Sequence, residues 1–191
     1  MPSFSSAHNG IPNVLLTPVN IQPSFNPSRL KGNQIPSGKK YQAIWDTGAT
    51  GTVITDRVVK ECDLKPISMA KMRVAGGNTI YSGVYFVGII LPNRVVLPSL
   101  RVSGVKSVSE NADVLVGMDI IARGDFAITC KDQKTLFSFR FPSSDQIDFV
   151  RADNNALVKK YQSRGPNAPC MCGSGTKYKK CCKNKMESLP R

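Results

Sequence analysis

Residues 44–50 read Ile-Trp-Asp-Thr-Gly-Ala-Thr, an apolar run that passes into an acid, a hydroxyl and a glycine without a break. An ionised carboxylate at the end of a half-buried strand is costly unless water or hydrogen-bond donors surround it. The turn must therefore face solvent or be braced. Gly48 can take backbone angles closed to other residues, Thr47 offers a hydroxyl that donates and accepts, and Ala49 stays small. The tripeptide Asp46-Thr47-Gly48 is short enough to arise by chance, so its surroundings decide what it means.

Those surroundings are β-rich. Residues 14–22 read as an edge strand, with Pro18 tolerable only where no ladder bond is needed. Residues 41–45 and 51–55 flank the acidic turn, and 55–62 read as a short helix with Thr55 or Asp56 at its cap. Residues 72–75 and 79–91 read as a hairpin with a glycine tip, and further strands are expected at 95–102, 114–116, 125–129 and 135–141. Short strands at this spacing predict a mainly β domain over 14–142. A polar, loosely ordered leader over 1–13 is expected before it, and a linker over 143–165 after it, with a short helix near 155–161.

Charge divides the chain in the same way. The formal net charge is +13, and the segment 151–191 holds ten Lys or Arg against two acids, a net +8. A basic arm of this kind suits an acidic partner, or serves only to keep a tail solvated. The first residues lack the basic start and apolar run of a signal peptide, and no stretch approaches the ~18 apolar residues of a membrane span. A cytoplasmic protein with no transmembrane segment is expected. Its one histidine, His8, lies in the polar leader, so neither a Ser-His-Asp nor a Cys-His arrangement is expected.

Two chemistries compete for the acidic turn. Asp46-x-Gly48-x-Thr50 after a strand fits the first phosphate hairpin of actin-like sugar kinases, but only 145 residues follow Asp46, too few for two nucleotide-binding lobes. The segment "WDTGATGTVIT" resembles instead the active-site loop of retropepsin-like aspartic proteases. "MRVAGGNTIYSGVYFVGIIL" is similar to that family's glycine-tipped flap, and "DVLVGMDII" to the strand and short helix beneath its active-site loop. The resemblance implies a retropepsin-like β-barrel, with Asp46, Thr47 and Gly48 catalytic and Ala75, Gly76, Gly77 and Asn78 closing over an extended peptide. An ordinary hairpin turn would call for the same glycines.

The chain has one such loop, and neither Asp113 nor Asp119 sits in the frame of a second. Two carboxylates held together share a proton and so provide an acid and a base, which one carboxylate cannot. The resemblance thus implies a homodimer to which Asp46 contributes twice, acting on a peptide or protein substrate with no catalytic cofactor. The rival is a dimer of the same fold that has no catalysis and works as a scaffold or adaptor.

Residues 166–183 read "PNAPCMCGSGTKYKKCCK". Cys170, Cys172, Cys181 and Cys182 bring four thiolates around a glycine turn, a donor set suited to closed, structural Zn²⁺. Disulfide or redox use is the alternative. The stretch resembles the SEC-C motif of the bacterial preprotein translocase ATPase, with Met171 where Pro is usual and Cys182 where some members have His. The boundary is placed at 166–185, and a segment this short should fold only with metal. The resemblance implies a bacterial protein and a tail that docks on an export chaperone, a ribosome or an acidic protein surface. Tyr178 alone among the lysines does not support specific nucleic-acid recognition.

Overall fold

The computed structural model describes residues 1–30, 36–73, 77, 79–163 and 165–190. It divides into two compact units, Met1–Ser144 and Asp145–Arg191. In the first, ten strands form in chain order: β1 (Ser3–Asn9), β2 (Leu15–Pro23), β3 (Lys39–Trp45), β4 (Val53–Thr55), β5 (Ser68–Arg73), β6 (Thr79–Ile90), β7 (Val96–Val105), β8 (Val114–Val116), β9 (Asp125–Lys131) and β10 (Lys134–Arg140). Two short helices, α1 (Asp56–Glu61) and α2 (Met118–Ile121), come after β4 and β8.

Six strands close a barrel in the order β2-β3-β8-β4-β7-β6, because β6 also pairs with β2. The protein is mainly β, as its sequence predicts. β5 adds to the outside of β6, and β1-β10-β9 form a separate antiparallel sheet. Alternation drives closure: Tyr41, Ala43 and Trp45 of β3 point inward while Gln42 faces solvent, and Leu15, Thr17, Val19 and Ile21 do the same on β2. Ile21, Ile54, Ile89, Val114, Val116 and Ile120 are fully buried at the centre. Tyr41 ties α1 to the wall by donating its hydroxyl to the Glu61 carboxylate at 2.9 Å.

The three-stranded sheet packs on the barrel through aromatic rings. Trp45 lies 4.8 Å from Phe139 and 5.2 Å from Phe137 by ring centroids, and Phe4 and Phe126 complete the group. Its indole N–H donates to the buried Thr17 hydroxyl at 2.8 Å, so the polar edge of the ring is satisfied inside the core.

Three expectations change. Residues within the supposed leader form β1, paired along its whole length with β10. Polar serines alternate there with the inward-facing Phe4, which inserts among Trp45, Phe137 and Phe139. β2 is part of a closed barrel instead of an edge, but its pairing with β6 begins at Asn20, so Pro18 lies where only β3 is a neighbour. The short helix of the linker is α3 (Phe149–Gln162), begun earlier because Asp148 caps it, accepting from the Arg151 N–H at 3.0 Å.

The second unit combines α3, a 3-10 turn at Tyr178–Lys180 and α4 (Lys183–Glu187). Val158 and Tyr161 of α3 pack with Tyr178, Met186 and Cys170. The cysteine segment is therefore not bare of apolar support, because α3 supplies part of a small core. Among the described residues no helix is long and apolar enough to cross a membrane.

Phe137 is fully buried and lies against the rings of Phe4, Trp45 and Phe126 across the junction between sheet and barrel. Phe137→Ala should lower unfolding stability by about 3–5 kcal/mol, measured by urea titration of the fluorescence of Trp45, the only tryptophan.

Candidate active site and metal centre

The acidic turn owes its position to β8. That strand lies between β3, which enters the turn, and β4, which leaves it, parallel to the first and antiparallel to the second. The turn is then bonded both to the end of β8 and to the first residue of α2. Asp46 N–H donates to Val116 carbonyl at 3.0 Å, and Met118 N–H donates to Ala49 carbonyl at 2.9 Å. Gly117 makes this contact possible, since a Cβ there would lie 2.6 Å from the Gly51 carbonyl carbon.

Within the turn, Gly48 N–H donates to Asp46 Oδ1 at 2.8 Å. The acid is half-buried and its neighbours Thr47 and Gly48 are exposed. Among the described residues Asp46 Oδ2 and the Thr47 hydroxyl have no protein partner. One carboxylate oxygen is fixed by a backbone donor and the other is left without a protein partner among the described residues.

Sequence reasoning misses the brace beneath the turn. Asp119 accepts from the Thr52 hydroxyl at 2.7 Å and from the Thr52 N–H at 3.0 Å, and the Thr52 hydroxyl in turn accepts from Gly117 N–H at 3.2 Å. Thr52 is buried, so this carboxylate satisfies donors that water does not reach. Asp113 does similar work farther along, accepting from Thr55 Oγ1 at 3.0 Å and from Arg57 at 3.1 Å. The available signal was an acid placed just beyond an apolar strand and a glycine, in a helix of one turn.

Of the hairpin tip, Ala75, Gly76 and Asn78 lie outside the described residues. Gly77 has φ +82°, in the left-handed region that favours glycine. A cleft of about 550 Å³ opens beside the base of the same hairpin, between Tyr81, Ser82 and Tyr85 of β6 and Val105, Lys106 and Ser107 at the end of β7. Asp46 does not line it.

In the second unit the four tail cysteines converge, with all ligand sulfurs within 4.8 Å of one another. Cys172 and Cys181 lie 3.5 Å apart, and Cys181 and Cys182 3.8 Å. Tetrahedral Zn²⁺ with ~2.3 Å Zn–S bonds sets its sulfurs ~3.8 Å apart, so the donors fit such an ion in number, type and spacing. Hydrogen bonding from Ser174 draws the Cys172 thiol down to about 6, while hydrogen bonding with Cys170 pushes Cys182 up to about 12. Gly173 and Gly175, with φ +83° and +70°, turn the chain between the ligand pairs. Cys170 N–H closes that turn by donating to Thr176 carbonyl at 2.7 Å.

The lysines around the cluster, Lys177, Lys179, Lys180, Lys183 and Lys185, are all exposed. Tyr178 is buried and packs on Tyr161, so the segment presents charge without an exposed ring.

Residues 35–123, which include the acidic turn, its brace and the hairpin, match the sequence family described as "gag-polyprotein putative aspartyl protease", and residues 167–184 match the SEC-C motif. Residues 35–123 are thus similar to a family of aspartyl proteases, and the tail to the SEC-C motif. Similar solved structures include a retropepsin-like aspartic protease from Rickettsia conorii, at 9% identity and TM-score 0.44, covering 71% of this chain and 91% of that one. EIAV protease complexed with the inhibitor HBY-793 is 16% identical at TM-score 0.41, covering 58% and 86%. The retroviral protease-like domain of Ddi1 from Leishmania major is 15% identical at TM-score 0.38, covering 70% and 98%. No curated protein matches the chain.

Removing the brace tests its contribution directly. Asp119→Ala leaves two buried donors of Thr52 without an acceptor and should cost about 1–3 kcal/mol in unfolding free energy. Asp119→Asn keeps one acceptor oxygen and should cost less in the same urea titration.

Proposed function

We propose that the protein is an aspartic endopeptidase whose active site forms when two chains pair and bring two copies of Asp46 together. The observation that carries this is a half-buried carboxylate on a turn held by β8, with a backbone donor fixing one oxygen and no protein partner on the other among the described residues. Catalytic roles fall on Asp46, with Thr47 and Gly48 shaping the turn. The hairpin tip at 75–78 serves as a flap over an extended peptide.

The chemistry follows from crowding. Two carboxylates a few ångströms apart cannot both ionise, so one keeps a proton that the other lacks. The ionised Asp46 takes a proton from the attacking water, and the protonated Asp46 of the other chain gives its proton to the carbonyl oxygen. The pair titrates as a unit with two macroscopic values. In the second unit Cys170, Cys172, Cys181 and Cys182 would hold Zn²⁺ in a closed site, leaving no position for a reacting water. The exposed lysines around it form a docking surface for an acidic partner, an export chaperone or ribosome among them.

Asp46→Asn should abolish cleavage of a broad peptide set by purified protein while sedimentation still shows a dimer. Cleavage that persists in the variant excludes Asp46 as the catalytic acid, and a wild type that cleaves nothing from acidic to neutral pH points to the scaffold instead. Chelation should disorder residues 166–185, read by amide exchange, and abolish salt-sensitive binding through the lysines, while leaving peptide cleavage largely intact. Loss of amide protection through the barrel as well would contradict independent units.

A further inference from the structure

The helix α3 carries two apolar faces, and the second unit uses one of them. Val158 is buried and Tyr161 half-buried against Tyr178 and Met186, with Asn154 and Asn155 half-buried on the same side. The opposite side presents Phe149, Ala152 and Ala156, spaced i, i+3, i+7, with Val150 and Leu157 flanking them. All five are exposed, Phe149 by 71%, Val150 by 66% and Leu157 by 39%. A helix needs no apolar residue on its solvent side, so this stripe is a surface suited to a partner.

Charge selects the partner. Two ionic residues lie along the same stripe, Asp153 in the first half of the helix and Lys160 in its last turn, and both are exposed. The ends repeat the signs: Asp148 caps the start, and Lys159 stands beside Lys160. Laid parallel on a second copy, the stripe would set Asp153 against Asp153 and Lys160 against Lys160. Laid antiparallel about a two-fold axis, each helix sets its acidic half against the basic half of the other, and the two macrodipoles oppose as well. Asp153 of each helix then meets Lys160 of the other, and the helices cross midway, at Ala156 and Leu157. Ala156 is small enough for close approach there, while Leu157 and Phe149 supply apolar area.

We propose that this face of α3 binds the same face of a second copy, antiparallel, as a contact between chains separate from the acidic turn. The proposal deepens the homodimer of the peptidase reading and rests on it. α3 has 14 residues and so spans about 21 Å. Two such helices bury no more than about the 1,000 Å² that a stable interface needs, which makes their pairing weak in isolation. Joined to chains that already pair at Asp46, the same contact acts at a raised effective concentration and tightens the dimer. Subunit affinity, and through it the protein concentration at which peptide is cleaved, is therefore set partly by the tail unit.

The test is sedimentation of the purified full chain over a concentration series, with peptide cleavage read in the same samples. Leu157→Lys should weaken self-association roughly ten-fold, with circular dichroism still showing the helix. Asp153→Lys and Lys160→Asp should each weaken it roughly five-fold, because every cross-helix pair becomes a repulsion. Mixed in equal amounts, these two variants should recover wild-type association and cleavage, since one chain then carries lysine at both positions and the other aspartate at both. Recovery in the mixture requires contact between chains; a face packed on its own barrel gives none. Weakening in the single variants without recovery, or variants that associate like wild type while peptide cleavage persists, overturns the inference and leaves the peptidase reading intact. A wild type that stays monomeric at every concentration sinks both.

Discussion

The insertion of β8 between β3 and β4 is the constraint on which the rest of the molecule depends. A turn that joins two directly paired strands would be a hairpin, and its tip would swing freely. Here a third strand separates the two arms, so the turn must bridge its end, and each arm is fixed by its own ladder. The close packing of Gly117 against Gly51, and the bond from Asp46 N–H to Val116, are consequences of that bridging. So is the position of Asp119, carried by the helix that β8 feeds into. The acid is thereby held on rigid elements that set its geometry in advance.

This arrangement also accounts for the cost of placing a carboxylate there. Asp46 stays half in solvent and accepts one backbone donor, so it avoids the penalty of a buried unpaired charge. Asp119, set among buried donors, is satisfied by both polar groups of Thr52. Two acids tied to the same turn therefore have opposite environments: one is consumed by structure and the other is left available. In the proposed dimer, the free energy that one Asp46 loses by facing its twin is what keeps a proton in the site.

Local chemistry is legible in the sequence and long-range pairing is not. The Asp46 turn, the hairpin leading into β6, and the four-cysteine spacing are written in adjacent residues, where glycine, alternation and ligand type each point to a cause. Closure of the barrel depends on β2 meeting β6, in pairs such as Asn20 with Ile90, and no local pattern encodes that partner. The same limit hides β1, whose serines look like a solvated tail until Phe4 is seen to enter the aromatic group around Trp45. Asp119 lies outside the frame of a second catalytic acid, and its sequence neighbours give it no other role. Its partner, Thr52, lies far away in the chain, at the exit of the acidic turn.

In the second unit the four cysteines, which could hold a metal ion, are backed by a helix. Four thiolates can organise a turn but leave its outer face without apolar support, and the ion's free energy is available only once the ligands are deprotonated and gathered. Val158 and Tyr161 give the turn a surface to collapse against, with Tyr178 and Met186 closing from the other side. The ring of Tyr178 is used for that packing, so the lysines beside it are left as bare charge, suited to an acidic surface and not to stacking on bases. The helix that completes this core begins with the exposed Phe149 and Val150.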